Sequence, residues 1–278
     1  MFAGLTIGRT FALTLGLATL LIVSACAAFQ PTDPNGPRSD APPYPIGLSD
    51  VGTRLEEASL AWYQLSERYG VSGRTEANLH PFTGTLESLP ANLPASIHLP
   101  KVGSPTNPTE EDLRESLRRF IVEWRRLIGA EPDELSLVER TDEPSGIKVA
   151  RYEQRPFRYP LRGGFGNLII RFRGDGQIVG LSSNCLPNAD RVQTSLNNVS
   201  PQFTREQVVD QVRTLQNLPA TAVVEPQQLV VYAQPAKAAQ GAISSGLEMR
   251  LAWEINVTNG PVTKVYLDAI SNEVIATS

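Results

Sequence analysis

The stretch that decides the fold is residues 146–183. After Gly146 it reads Ile147-Lys-Val-Ala-Arg-Tyr-Glu-Gln154, then a bend of Arg, Pro, Gly and aromatic residues. It continues as Asn167-Leu-Ile-Ile-Arg-Phe-Arg173, Gly174-Asp175-Gly176 and Gln177-Ile-Val-Gly-Leu-Ser-Ser183. Two runs dominated by apolar residues flank a short Gly-Asp-Gly loop, which can take positive φ where the chain reverses. This predicts an antiparallel hairpin over 167–173 and 177–183, with a preceding strand over 147–154. A helix placed before it would cover one face.

That helix lies upstream, over 110–128. Leu113, Leu117, Phe120, Ile121, Trp124, Leu127 and Ile128 fall on one stripe of a 3.6-residue period. Thr109 with Glu110, Glu111 and Asp112 caps and charges its start, and Arg125 and Arg126 suit its end. Gly129 fits the residue just past the end. A first strand is expected near 135–140. Further upstream, Leu55, Ala58, Trp62 and Leu65 predict a helix over 53–69, with Thr53 and Glu56 as a capping box and Gly70 as its stop. Residues 71–108 are rich in Pro, Gly, Thr and Asn and read as surface chain with a strand or two. Downstream, 186–203 reads as a polar connector. A helix enters at Thr204, whose partner in a second capping box is Gln207, and Val208, Val212 and Leu215 form its stripe. Strands are expected over 228–233, 248–257, 263–268 and 273–277, with an Ala/Ser/Gly-rich mobile loop over 234–246. A helix followed by antiparallel strands thus occurs twice. The fold class is α+β: two consecutive small domains, 49–190 and 200–278, each a helix packed on an antiparallel sheet.

The chain has 278 residues, 41% hydrophobic and 19% charged, an ordinary globular composition. A net charge of −4 argues against a nucleic-acid partner, which calls for a strongly basic face. Residues 1–25 carry one charge, Arg9, ahead of a mostly apolar run over 11–23. That run is short for a transmembrane span and fits the core of a secretory signal. Removing it leaves 24 basic and 29 acidic residues, net −5. Residues 26–48 hold six prolines and read as a Pro-rich tether.

Val23-Ser24-Ala25-Cys26 resembles the lipobox of bacterial lipoproteins, with Val23 where Leu is usual. The resemblance implies cleavage before Cys26, lipidation of Cys26 and stable anchoring by two or more acyl chains. It places the protein on the periplasmic face of the outer membrane in a diderm host, and otherwise on the extracellular face of the cell membrane. With Cys26 lipidated, Cys185 has no partner, so no intrachain disulfide is expected.

The segments together resemble the fungalysin/thermolysin propeptide domain followed by a PepSY domain, the region that precedes the catalytic domain of thermolysin-like metalloproteases. Thr83-Gly84-Thr85 resembles the Thr-Gly turn of the first domain. Residues 117–129 and 132–138 resemble its helix and first strand, and 152–164 its strand and bend. Phe203-Thr-Arg-Glu-Gln-Val208 resembles the helix entry of the second domain, and 251–257 with 265–275 its final hairpin. The chain departs from the family at Arg158-Tyr-Pro-Leu161, where Gly-Ile-Pro-Val is usual, and at Ser271-Asn272, where Thr-Gly is usual. The resemblance implies a non-catalytic module that binds an exported thermolysin-like metalloprotease in trans, as inhibitor or folding helper. A sheet edge or the tail over 274–278 would lie in an extended-peptide cleft. The alternative is a structural or interaction lipoprotein of the envelope with a non-protease partner.

No catalytic, cofactor or metal residues are assigned. The His-Glu-x-x-His of a thermolysin-like protease does not occur in these 278 residues. His80 and His98 read as surface residues eighteen positions apart, which suits neither a zinc site nor a Ser–His–Asp triad. Arg162-Gly163-Gly164-Phe165-Gly166 lacks the Gly-Lys-Ser/Thr of a phosphate loop and reads as a bend. Arg173-Gly174-Asp175 reads as a hairpin tip, not an adhesive tripeptide. Arg114, Arg118, Arg119, Arg125 and Arg126 with Glu110, Glu111 and Glu115 read as a solvated helix face. Trp124 and Trp253 read as core residues, and Cys185 as a small buried apolar residue.

Overall fold

The structure is a computed structural model that describes residues 44–48, 50–71, 76–90, 97–103, 109–155, 157–237 and 246–278. The signal segment and Cys26 lie outside the described residues, as does 238–245 of the loop expected over 234–246.

The architecture is mixed α+β, with four α-helices and several sheets among the described residues. The hairpin forms as expected: β7 (Asn167–Arg173) and β8 (Ile178–Ser183) pair antiparallel. At the tip, Arg173 N–H donates to Gln177 O, Gly176 takes φ +87°, and the Asp175 carboxylate accepts from Gln177 N–H at 2.9 Å. β5 (Ile147–Gln154) pairs with β7, and β4 (Leu135–Asp142) with β5, giving a four-stranded antiparallel sheet in the order β4-β5-β7-β8.

Two helices cover its inner face. α1 (Val51–Arg68) buries Ala58, Ala61, Trp62 and Leu65, and α2 (Glu110–Ile128) buries Leu117, Phe120, Ile121, Trp124, Leu127 and Ile128. These pack with Ala150, Tyr152, Leu168, Ile170 and Phe172 into one core. Thr109 and Asp112 close a full capping box at the start of α2, and Gly129 ends it at φ +80°. α1 starts two residues earlier than expected. Its N-cap is Asp50, which pairs with Arg54, so Thr53 and Glu56 fall inside the first two turns and form no capping box. Gly70, at φ +64°, follows the last helical turn. Among its described residues, the Pro/Gly-rich chain before α2 contributes β2 (Asn78–Leu79), β3 (Leu86–Ser88) and an isolated bridge from His98 to Gln177.

Beyond β8 the chain departs from the polar connector that was expected. Residues Ala189–Leu196 form a short helix, α3, that buries Ala189, Val192 and Leu196. α4 (Arg205–Leu215) follows, with the Thr204–Gln207 capping box formed and Val208 and Val212 buried. Next come β9 (Val223–Pro235), β10 (Leu247–Thr258), β11 (Lys264–Asp268) and β12 (Val274–Thr277), paired antiparallel in that order. β9 is twice the expected length. It runs on through Pro226, which sits at a register shift, where a missing N–H costs the ladder little.

This second sheet also takes two strands from far upstream. β1 (Ile46–Leu48) pairs antiparallel with the start of β10, so the last three residues of the Pro-rich segment are a strand and not tether. Ile46 and Leu48 are buried against Leu186, Val192, Leu196, Val231 and Met249. β6 (Leu161–Arg162), from the bend after β5, pairs parallel with β9. The sheet is therefore mixed, where an antiparallel one was expected. α3 covers one end of its apolar face and α4 the other.

Candidate partner-binding surface

Three exposed regions of the fold are open to a macromolecular partner. The first is the polar face of the second sheet. Along β10 the odd residues Leu247, Met249, Leu251 and Ile255 are buried and apolar, and the even positions Glu248, Arg250, Glu254 and Asn256 are polar. Arg250 is held by three carboxylates: Glu248 Oε1 at 2.8 Å, Asp268 Oδ2 at 3.1 Å and Glu273 Oε2 at 2.9 Å. Asp268 is fully buried. It accepts from Tyr44 Oη at 3.0 Å and from the N–H groups of Ile270 and Ser271 at the turn before β12. Burial and the neighbouring Asp268 raise the Tyr44 hydroxyl far above its usual range. Two turns of strand away, Glu254 accepts from Gln228, Arg162, Lys264 and Tyr266 at 3.0–3.2 Å. Burial alone would raise its carboxyl, but these donors outweigh burial and hold it at about 2. The charges of the Arg250 and Glu254 clusters are thus matched within the molecule.

The second region is the chain's end. The tail over 274–278, expected to lie in a partner's cleft, is instead an edge strand. Ser278 N–H donates to Lys264 O, and Ser278 O accepts from Thr263 and Lys264 N–H. Insertion elsewhere would first break these bonds. A register shift at Tyr266/Leu267 further shortens the regular edge.

The third region is β4, the outer strand of the four-stranded sheet. Arg155 N–H donates to Glu134 O just before it, and Glu143 N–H to Ile147 O just after it, both at 2.7 Å. Antiparallel alternation from these two points turns the N–H and C=O of Leu137, Arg140 and Asp142 and the C=O of Leu135 away from β5, while Leu135 N–H donates to Pro132 O. Leu137 and Val138 remain 37% and 44% exposed. Between β4 and α2 runs a groove lined by Arg114, Arg118, Ile121, Pro132, Leu135, Leu137 and Tyr152.

The residues singled out in the sequence fall elsewhere. Thr83, Gly84 and Thr85 form a buried turn in which Thr85 Oγ1 donates to Ser183 O at 2.7 Å, and Gly84 packs on Arg54 of α1. His80 is half-buried, not a surface residue. Its Nδ1 accepts from Phe82 and Thr83 N–H, its ring meets Phe165 edge-on, and burial lowers its pKa. His98 bridges Gln177 beside β8. The structure does not bring the two histidines together into one site. Trp124 is buried, Trp253 half-buried. Cys185 is a free, buried thiol pushed up to about 12 by burial. Gly163 and Gly164 take φ +96° and +84° in the bend beside β6. Among the described residues no group of three or more His, Cys, Asp and Glu is placed to hold a metal ion, and no helix is long and apolar enough to cross a membrane. Sequence reasoning missed the Arg250 cluster. Its signal was the polar Glu248, Arg250, Glu254 and Asn256 at alternate positions interrupted by Ala252, read only as a strand.

No family model matches the chain. Over 163 residues it is 27% identical to the thermostable neutral protease NprT of Geobacillus stearothermophilus. The match takes in 56% of this chain and 27% of that protein, so the chain spans about a quarter of the length of this curated relative. The similarity is distant and partial.

Proposed function

We propose that this protein is a non-catalytic, propeptide-like module that binds an exported thermolysin-like metalloprotease in trans and inhibits it or assists its folding. The observation that carries this reading is the 163-residue similarity to a neutral protease in a chain whose 278 residues contain no His-Glu-x-x-His. The Thr83–Thr85 turn, the 110–128 helix with its following strand, and the 251–275 hairpin are the segments that resemble a propeptide and PepSY pair. In this reading the matched stretch corresponds to the pro-region of the relative. In the same reading residues 49–190 and 200–278 are two successive modules; β6 from the first range pairs with β9 of the second, and β1 adds a strand from before both.

The fold supports binding more than catalysis. The charges of its Arg250 and Glu254 clusters are matched internally, and β4 offers an open edge beside a groove. Lipidation at Cys26 would hold the module at the membrane where exported enzymes emerge. A Cys26→Ser chain is expected to leave the membrane fraction and to lose labelling by a fatty-acid analogue.

The test adds the purified full-length protein to a thermolysin-like protease from the same host. Either a slower steady-state rate or a higher refolding yield is expected. An envelope lipoprotein with another partner would change neither.

A further inference from the structure

We infer that the free edge of β4 accepts an extended segment of the partner protein as a fifth antiparallel strand, one apolar side chain of which seats in the groove between β4 and α2. The inference rests on the proposed function and names the surface through which it acts.

Among the described residues, the edges at β8, β6 and β12 are closed or short, and the outer side of β9 carries Pro226 and a register shift. β8 is flanked by residues 97–99, through Leu99 N–H to Gly176 O and Ile178 N–H to Ile97 O. β6 has two residues, and β12 has four with a register shift. β4 has eight residues and no proline, with outward N–H and C=O groups at Leu137, Arg140 and Asp142 and an outward C=O at Leu135. Such a row is a template for strand addition. Its first half, Leu135–Val138, is uncharged.

The groove specifies what the added strand carries. Its floor is Leu135, Leu137 and Tyr152, its wall Ile121, and its volume about 370 Å³, room for one large aliphatic or aromatic side chain. Arg114 and Arg118 stand at the rim, and no carboxylate lines it. Glu110 and Glu115 neutralise these arginines only from their own helix. An acidic residue two positions from the apolar one on the added strand lies on the same face and meets this rim. The same charge disfavours a second copy as occupant. Two molecules joined edge to edge about a two-fold axis would bring identical cationic rims together.

The test uses the full-length chain and an inactive variant of a thermolysin-like protease. Hydrogen exchange of the Leu137, Arg140 and Asp142 amides is followed with and without the protease, alongside the affinity. Those amides are expected to exchange quickly in the free protein and to slow by about tenfold or more in the complex. Leu137→Pro removes an outward donor without breaking a β4–β5 bond, and is expected to weaken binding by about tenfold or more. Leu137→Lys leaves the backbone intact and adds a cation at the groove; it is expected to act likewise, so a misfolded proline variant does not remove the test. Binding with unchanged exchange at these amides overturns the β4 assignment and leaves the proposed function standing. No binding by the wild-type chain overturns both. Slowed amides in a dimer without protease overturn the occupant in favour of a second copy.

Discussion

Glu254 shows how a buried charge is held at the level of a single residue. Its four donors keep it ionised down to about 2, against an ordinary carboxyl value of 4.5. A group depressed in the folded state contributes stability above its unfolded pKa and loses it as the pH falls through the folded value. The stability gap between wild type and Glu254→Gln, read from thermal unfolding, is therefore expected to be full at neutral pH and to shrink between about pH 4.5 and about pH 2. Cys185, buried and pushed up to about 12, is expected to resist thiol reagents at pH 8 until the protein unfolds. Gly163 is fixed by its neighbours. A Cβ there would lie 1.9 Å from Ala233 O, at φ +96°. Gly163→Ala is expected to lower stability by about 2–4 kcal/mol in denaturant titration. Of these residues Cys185 was legible in the sequence as a small buried residue and Gly163 as part of a bend. Glu254 was not, because its burial depends on donors from β6, β9 and β11.

At the scale of elements, legibility followed local periodicity. α2 has a seven-residue apolar stripe, a capping box and a terminal glycine, and forms over the expected 110–128. The β7–β8 hairpin was equally plain, because the Gly-Asp-Gly loop and its flanking strands are contiguous. α3 escaped because it is eight residues long and mostly polar, although Ala189, Val192 and Leu196 do repeat at helical steps. β1 escaped for another reason. Three residues after a proline run show no period, and only Met249, Glu248 and Leu247, two hundred positions away, make them a strand. Its anchor is Leu48, buried with Ile46 between α3 and the sheet. Leu48→Ala is expected to cost about 2–5 kcal/mol, seen as a lower denaturation midpoint. Were 46–48 only tether, the substitution would have no effect.

At the scale of the molecule, the repeated order of helix and strands was readable, and the mixed α+β class followed from it. The sharing of strands was not. β6 pairs with β9 seventy residues later, and its two residues carry no signal apart from that contact. The consequence is mechanical coupling. β1 and β6 tie the second sheet to chain that precedes α1 and follows β5, so the two layers are expected to unfold together. Fluorescence of the three tryptophans, two on the helices of the first layer and Trp253 on β10, should report one transition coincident with circular dichroism. A coupled body with matched internal charge and a free edge suits a partner-binding role. The most direct test is the sedimentation equilibrium of the full-length protein mixed with an inactive thermolysin-like metalloprotease from its own host. A one-to-one complex is the predicted result; two species that sediment independently at micromolar concentration would contradict it.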